Sequence, residues 1–301
     1  MANIILLFGC LLLGVVFGMT KRFPENAHLA LNAFILHISL PAMIFLYIHN
    51  IHLHSELILS VAMPWLLFAF GCGFFYLIGR FLGFSRPTTG GLMLVGGLAN
   101  TSFVGLPMIE AFYGKADLAT GILIDQLGTY LVLSTLGILV AASFSSGNTR
   151  PGAVVLRIVT FPPLIALVIA LALMKVTYPA WAQHLLLSLA ATLGPLALVS
   201  VGLQLRLEAF RGNVAAMVAG LGYKLVLGPA IVALIYVGWL HRHGPIMQVT
   251  LFEAAMGPQI GGAIVGIQYG LNPALITLVV AVGIVLSFLT LPVWYYLLIP
   301  V

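Results

Sequence analysis

Gly96–Gly114 reads GGLANTSFVGLPMIEAFYG, and it lies inside an apolar run of membrane-spanning length, Thr89–Tyr113. Gly96-Gly97, then Asn100-Thr101-Ser102, Gly105 and Pro107, fall in the middle of that run. A continuous lipid-facing helix gains nothing from them, because Gly and Pro weaken the backbone ladder and an Asn side chain costs free energy in hydrocarbon. A helix interrupted near the bilayer midplane uses all of them. A second stretch, Gln248–Gly270 (QVTLFEAAMGPQIGGAIVGIQYG), repeats the design with Gly257-Pro258-Gln259 at its centre. Aligned without gaps from Tyr113-Gly114 and Tyr269-Gly270, Gly105 falls on Gly261 and Ser102 on Pro258. Paired interrupted spans in corresponding halves point to the binding site of a secondary transporter.

The rest of the chain is written for a lipid solvent. Of 301 residues, 62% are hydrophobic and 6% charged, and the mean hydropathy is +1.17. No soluble domain of this length has that composition, so the class is all-α integral membrane protein, with the lipid bilayer as a partner. The net charge of +5 and the pI near 9.4 reflect orientation in a membrane and imply no nucleic acid partner. Cys10 and Cys72 both lie in apolar spans, which suggests neither a disulfide framework nor a metal site. Lys21-Arg22 follow the first apolar run instead of preceding it, so a retained span is expected there and not a cleaved signal peptide. No Walker-type loop, nucleophile elbow or His-Glu-x-x-His pattern occurs, so ATP hydrolysis and intramembrane proteolysis lack their residues. The chain reads as a non-enzyme without a cofactor.

A window of about 20 residues predicts ten transmembrane helices, near 3–19, 27–48, 57–79, 89–113, 118–143, 153–174, 184–204, 214–238, 247–269 and 274–298. Their connections are short, and Ser143–Arg150 is only a polar link. Lys21, Arg22, Arg80, Arg86, Arg150, Arg157, Arg206 and Arg211 lie at the connections after spans 1, 3, 5 and 7, against Lys115, Lys175 and Arg242 on the other side. That asymmetry places the first set in the cytoplasm and both termini outside, in a cell membrane of bacterial inner-membrane type. Five spans per half, 1–148 and 149–301, make the second half inverted relative to the first, a 5+5 inverted repeat. Leu40-Pro41-Ala42 in span 2 and Gly194-Pro195-Leu196 in span 7 echo each other at similar depth.

Gly97-Leu98-Ala99-Asn100-Thr101-Ser102-Phe103-Val104-Gly105-Leu106-Pro107 resembles the span-4 crossover of the auxin efflux carrier family. Glu253-Ala254-Ala255-Met256-Gly257-Pro258-Gln259-Ile260-Gly261, with Tyr269-Gly270 and Leu291-Pro292, resembles the family's span 9 and span 10; Ser39-Leu40-Pro41-Ala42 fits its span 2. The resemblance implies a scaffold of spans 1, 2, 6 and 7, a mobile transport subdomain of spans 3–5 and 8–10, and a homodimer. It also implies an elevator mechanism and export or exchange of small organic anions: auxin-like acids, or malonate- and malate-like carboxylates. The long central cytoplasmic loop of many plant members is absent here.

The residues themselves suggest the same kind of site. Where two broken helices cross, half-helix ends meet, each carrying about half an elementary charge and several unpaired backbone groups. The N-terminal ends suit an anion. Asn100, Thr101 and Ser102 are cap-type residues, and the Asn100 amide is the expected direct contact to a carboxylate. Gly105 and Gly261 would let the crossing backbones approach. Pro258, after Gly257, suits the first position of a new half-helix. Pro107 would free the carbonyl of Phe103, and Gln259 is the second half's candidate for substrate hydrogen bonding. The plainer alternative is that these Gly and Pro residues only kink tightly packed helices.

Intramembrane charge is sparse: Glu110, Asp125, Lys224 and Glu253. An isolated charge there costs roughly 2.5–3.5 kcal/mol, so each should face protein or water. Glu110 and Asp125 are expected in the outer half of adjacent antiparallel helices, placed to share a proton or hold a cation, H⁺ or Na⁺ being the coupling ions to consider. Glu253 lies about one turn before Gly257. Lys224 would balance helix C-termini, pair with a carboxylate or offset the substrate's charge; a static structural pair is the alternative. His49, His52 and His54, with Glu56 behind them, match no strong metal motif. His37 and His184 read as packing residues, and Trp181, Trp239 and Trp294 as an aromatic belt. Two other functions stay open: a sodium-coupled bile-acid-type symporter or cation/proton antiporter, and a non-transporting membrane sensor. Against the antiporter, the crossing carries Asn and Gln where midplane Asp residues would be expected.

Overall fold

In hydrocarbon every backbone N–H and C=O must find a partner within the protein, and an apolar segment does this locally by coiling into a helix. A computed structural model describes residues 2–20, 22–24, 26–48, 56–145, 159–174, 176–204 and 214–301. His49, His52 and His54 lie outside them, as do Lys21, Arg150, Arg157, Lys175, Arg206 and Arg211. Among the described residues six helices are long and apolar enough to cross a membrane: α2 (Ala27–Ile48), α3 (Glu56–Leu82), α6 (Lys115–Phe144), α8 (Ala180–Leu203), α9 (Val214–Trp239) and α12 (Pro273–Leu298). The other helices are α1 (Ala2–Thr20), α4 (Arg86–Gly96), α5 (Thr101–Phe112), α7 (Pro162–Ala172), α10 (Pro245–Ala254) and α11 (Ile260–Gln268). The short ones include the two interrupted spans: α4 with α5, and α10 with α11.

Local chemistry sets several boundaries. Ser85 caps α4, its hydroxyl oxygen accepting from the Thr88 N–H at 3.3 Å, and Pro87 occupies the first turn, where a missing N–H costs nothing. Asn272 caps α12 from a left-handed conformation, φ 44°. Its side-chain oxygen accepts from the Leu275 N–H at 3.2 Å, and its amide nitrogen donates to the Thr88 hydroxyl at 2.8 Å.

The chain divides into two compact units, each drawn from both halves of the sequence. One comprises Met1–His54, Ser102–Ile122 and Arg157–Leu205; the other comprises Ser55–Thr101, Leu123–Leu156 and Arg206–Val301. The first thus takes in the span 1, 2, 6 and 7 set together with Ser102–Ile122, a segment that the family resemblance would assign to the mobile subdomain.

In the first unit α1 and α8 meet through glycines. A Cβ on Gly14 would lie 2.9 Å from the Gly202 Cα, and one on Gly202 would lie 2.7 Å from the Val15 nitrogen. Close approach of this kind is how helices gain packing energy where lipid removes the hydrophobic drive. Polar pairs add to it: Ser200 donates to the Asn32 side-chain oxygen at 2.5 Å, and the Ser39 and Thr192 hydroxyls are 2.7 Å apart. His37 donates to the Ala33 carbonyl of its own helix at 2.9 Å. In the second unit Tyr223 and Tyr236 of α9 donate to the Leu67 and Leu59 carbonyls of α3, each at 2.6 Å. Ser60 and Thr250 share a buried hydrogen bond at 2.7 Å. Trp181 and Trp239 are exposed near helix ends, whereas Trp294 is half-buried and donates to the Leu225 carbonyl at 2.9 Å.

Gly202→Leu should force α1 from α8 and lower stability by about 3 kcal/mol. Gly73→Leu, where an added Cβ meets open space, should leave the thermal midpoint of detergent-solubilised protein unchanged. Equal midpoints for both variants would contradict the glycine contact.

Candidate functional site

α4 ends at Gly96, and the Gly97 N–H donates back to the Met93 carbonyl at 3.1 Å. Helical structure resumes at Thr101. α10 ends at Ala254 and α11 begins at Ile260, capped by Gln259 in an extended conformation. The two gaps cross as short extended segments, with Ala99 and Pro258 forming an antiparallel bridge. Two backbone hydrogen bonds stitch them: the Asn100 N–H donates to the Gly257 carbonyl at 2.9 Å, and the Gln259 N–H donates to the Val95 carbonyl at 3.3 Å. Each chain thus supplies partners for groups that the other's broken ladder leaves open. α12 lies against the crossing through Gly283, where a Cβ would overlap the Pro258 ring. Asn100 and Thr101 are fully buried, and Gln259 nearly so.

The gap-free alignment sets Ser102 level with Pro258 along the sequence, and in space it is Ala99 that bridges Pro258. The half-helix after the first gap opens with a π-helical turn, Thr101–Gly105, while α11 is α-helical throughout. A π turn accommodates extra residues, so counting back from Tyr113 and from Tyr269 reaches different points of the two breaks. The sequence expectation changes for Pro258, which is not the first residue of the new half-helix: it sits in the extended gap, and Gln259 takes the cap position. Pro107 lies near the start of the α-helical stretch Leu106–Phe112, directly after the π turn.

Charged side chains surround the same crossing. Lys224, fully buried on a π turn of α9 (Tyr223–Leu227), donates from Nζ to the Ala254 carbonyl at 2.7 Å. That carbonyl belongs to the last residue of α10, so the ammonium stabilises the negative end of a half-helix dipole. Glu253, one residue earlier, is fully buried, and neither carboxylate oxygen has a hydrogen-bond partner among the described residues. The Lys224 ammonium is bound to the carbonyl of the next residue, so opposite charges come together at this helix end. Asp125 lies on a π turn of α6 (Ile124–Tyr130), where its carboxylate accepts from the Thr101 hydroxyl at 2.5 Å and from Gln126 Nε2 at 2.7 Å. Thr101, Asp125 and Lys224 thus all stand on π-helical turns, a distortion frequent at functional sites.

The second unit therefore brings together Asn100, Thr101, Asp125, Lys224, Glu253, Gly257, Pro258 and Gln259. Ser102, Gly105, Pro107 and Glu110 belong to the first unit. There Glu110, partly exposed, has Lys115 Nζ at 3.8 Å, so its recorded ion partner is a surface lysine. Gln126 and Thr129, fully buried, are not among the sequence candidates, because uncharged polar side chains were read only in the two interrupted spans. Gln126 Oε1 and Thr129 Oγ1 have no hydrogen-bond partner among the described residues. A search for uncharged polar side chains at mid-span would have found both.

The membrane transport protein family matches this chain over residues 1–295. An uncharacterized transporter of Methanothermobacter thermautotrophicus is 27% identical, with 94% of this chain and 93% of the relative aligned. One from Methanocaldococcus jannaschii is 28% identical over 94% and 92%, and the transporter YfdV of Shigella flexneri is 26% identical over 95% and 93%.

Lys224→Met removes a charge-assisted hydrogen bond and should lower stability by about 1.5–3 kcal/mol. Adding Glu253→Gln, which removes the carboxylate that the lysine balances, should recover part of the loss. Denaturation midpoints of the two single variants and the double variant check this; strictly additive losses would mean that the two side chains do not act on each other.

Proposed function

Because the chain belongs to the membrane transport protein family, that of the auxin efflux carriers, we propose that this multi-pass membrane protein is a secondary transporter of small organic anions. Malonate, malate and auxin-like acids are the substrate class. The observation that carries the reading is the crossing itself: two interrupted helices, with Asn100, Gln259 and the N-terminal end of α11 beside the break. Backbone N–H groups and a dipole at a helix start favour a carboxylate, and an amide can donate to it.

Alternating access, elevator-like or rocking, would carry the bound anion from one membrane face to the other. The division of the chain into two units, each drawn from both halves, supports that cycle, as it supports a ten-helix inverted repeat. A homodimer with both termini outside completes the reading. Moving one charge through about 100 mV is worth about 2.3 kcal/mol, so an inside-negative cell can drive anion export without a coupled ion.

One observation favours a coupled version of the same cycle, in the manner of a cation symporter or proton antiporter. Two carboxylates, Asp125 and Glu253, share a buried region with one lysine, and Glu253 lacks a hydrogen-bond partner among the described residues. A proton or a sodium ion held there would balance the remaining charge.

In proteoliposomes, Asn100→Ala should weaken malonate affinity roughly tenfold or more, the worth of a hydrogen bond to a charged group. Folded yield should stay unchanged. Unaltered affinity removes Asn100 from the site, and absence of flux with every carboxylate while binding persists would favour a sensor. Asp125→Asn and Glu253→Gln should flatten the dependence of flux on pH or Na⁺; a retained profile in both variants would return these carboxylates to a structural role.

A further inference from the structure

A second feature lies at the far end of α3, away from the crossing in sequence and unused by the transport cycle. A cavity of about 330 Å³ is lined by Tyr76, Gly79, Arg80, Gly83, Phe84, Arg86, Thr89 and Phe144, all within the second unit. Its floor is a chain reversal fixed at both ends. Gly83 takes the left-handed conformation, φ 69°, and the Phe84 N–H donates to the Gly79 carbonyl at 2.8 Å, which closes α3 with a glycine-dependent cap. Ser85 then caps α4. Arg80, on the last turn of α3, and Arg86, at the start of α4, flank this capped reversal.

Among the described residues neither guanidinium meets a carboxylate. Arg86 donates through Nη2 to the Ser143 carbonyl at 2.7 Å, and its guanidinium carbon lies 5.9 Å from the Phe144 ring centroid. These contacts orient the side chain and leave most of its five N–H donors unused. Arg80 makes no hydrogen bond or ion pair among the described residues, and no carboxylate lines the cavity. Two cations that line one cavity repel each other unless an anion joins them.

The last turns of α3, which carry Arg80, also present apolar side chains that are uncovered among the described residues. Leu77 is 58% exposed, Phe81 83%, and Tyr76 and Leu82 about half exposed. Leu77 and Phe81 are four residues apart and share a helix face. The strip runs from the end of a membrane-length helix back toward its middle, the direction in which acyl chains leave a headgroup. A free phosphate would use the cations and ignore the strip; a phospholipid uses both.

We propose that this cavity binds the phosphate headgroup of an anionic phospholipid between Arg80 and Arg86, with the acyl chains along Leu77 and Phe81. Basic pockets between membrane helices recognise such headgroups by this chemistry. The site is distinct from the helix crossing, and it holds whichever anion is transported.

The test is native mass spectrometry of the delipidated full chain, titrated with phosphatidylglycerol or phosphatidylcholine. The first phosphatidylglycerol should bind more tightly than phosphatidylcholine, Arg80→Gln should weaken it roughly fivefold, and Arg80→Gln/Arg86→Gln should weaken it further. Inorganic phosphate at equal concentration should leave the lipid bound. Equal affinity for the two lipids, or unchanged phosphatidylglycerol affinity in Arg80→Gln, overturns the proposal. Full displacement by inorganic phosphate overturns it too, and makes the cavity a small-anion site. Should the double variant fail to fold through loss of the Arg86–Ser143 contact, Arg80→Gln decides alone, since its side chain holds no other part of the described structure.

Discussion

Two backbone hydrogen bonds, Asn100 to Gly257 and Gln259 to Val95, make the rest of this architecture possible. A helix that breaks in hydrocarbon exposes donors and acceptors that have no water to turn to, at a cost of several kcal/mol for each unsatisfied group. One break alone would be prohibitive. Two breaks placed against each other satisfy part of the deficit reciprocally, and the antiparallel bridge at Ala99 and Pro258 is the result. Lys224 satisfies a further group, the terminal carbonyl of α10, and the bare Cα of Gly283 lets α12 close over the Pro258 ring.

Having been stabilised in this way, the crossing concentrates polarity at one depth. Thr101, Asp125 and Lys224 reach it from π-helical turns, which loosen the local ladder and re-aim side chains. The cost of a buried lysine beside two buried carboxylates is offset by helix-end dipoles and hydrogen bonds. Glu253 is the member left without such a bond among the described residues. A region so nearly balanced responds to the addition of one charge, whether a proton, a cation or a carboxylate. That is the physical ground on which the proposed transport and its proposed coupling rest.

Much of this was legible in the residues. Gly96-Gly97, Asn100 and Gly257-Pro258-Gln259 announced the breaks, because no continuous span needs them, and long apolar runs announced the helices around them. The register was not legible. Propensity says nothing about where a helix will widen to a π turn, so aligning the two stretches did not reveal that Ala99 is the residue opposite Pro258. For the same reason Pro258 was put at a helix start when it lies in the extended gap. Three options were open for Lys224, and its Nζ against the Ala254 carbonyl agrees with the helix-end one; Gln126 went unnoticed because uncharged polar residues were read only at the two breaks. That Glu110 falls in the first unit and Asp125 in the second depends on tertiary contacts that spacing along two helices does not encode.

Cross-linking tests the crossing most directly. In a background lacking Cys10 and Cys72, Ala99→Cys with Pro258→Cys places two thiols on directly opposed residues of an antiparallel pair, about 4.5–5.5 Å apart at Cα, within disulfide range. Mild oxidation of the folded protein should join them, with loss of two hydrogen masses and of free-thiol labelling. If both cysteines react singly with a thiol reagent yet never join, the two spans do not cross there, and the anion site built on that crossing falls.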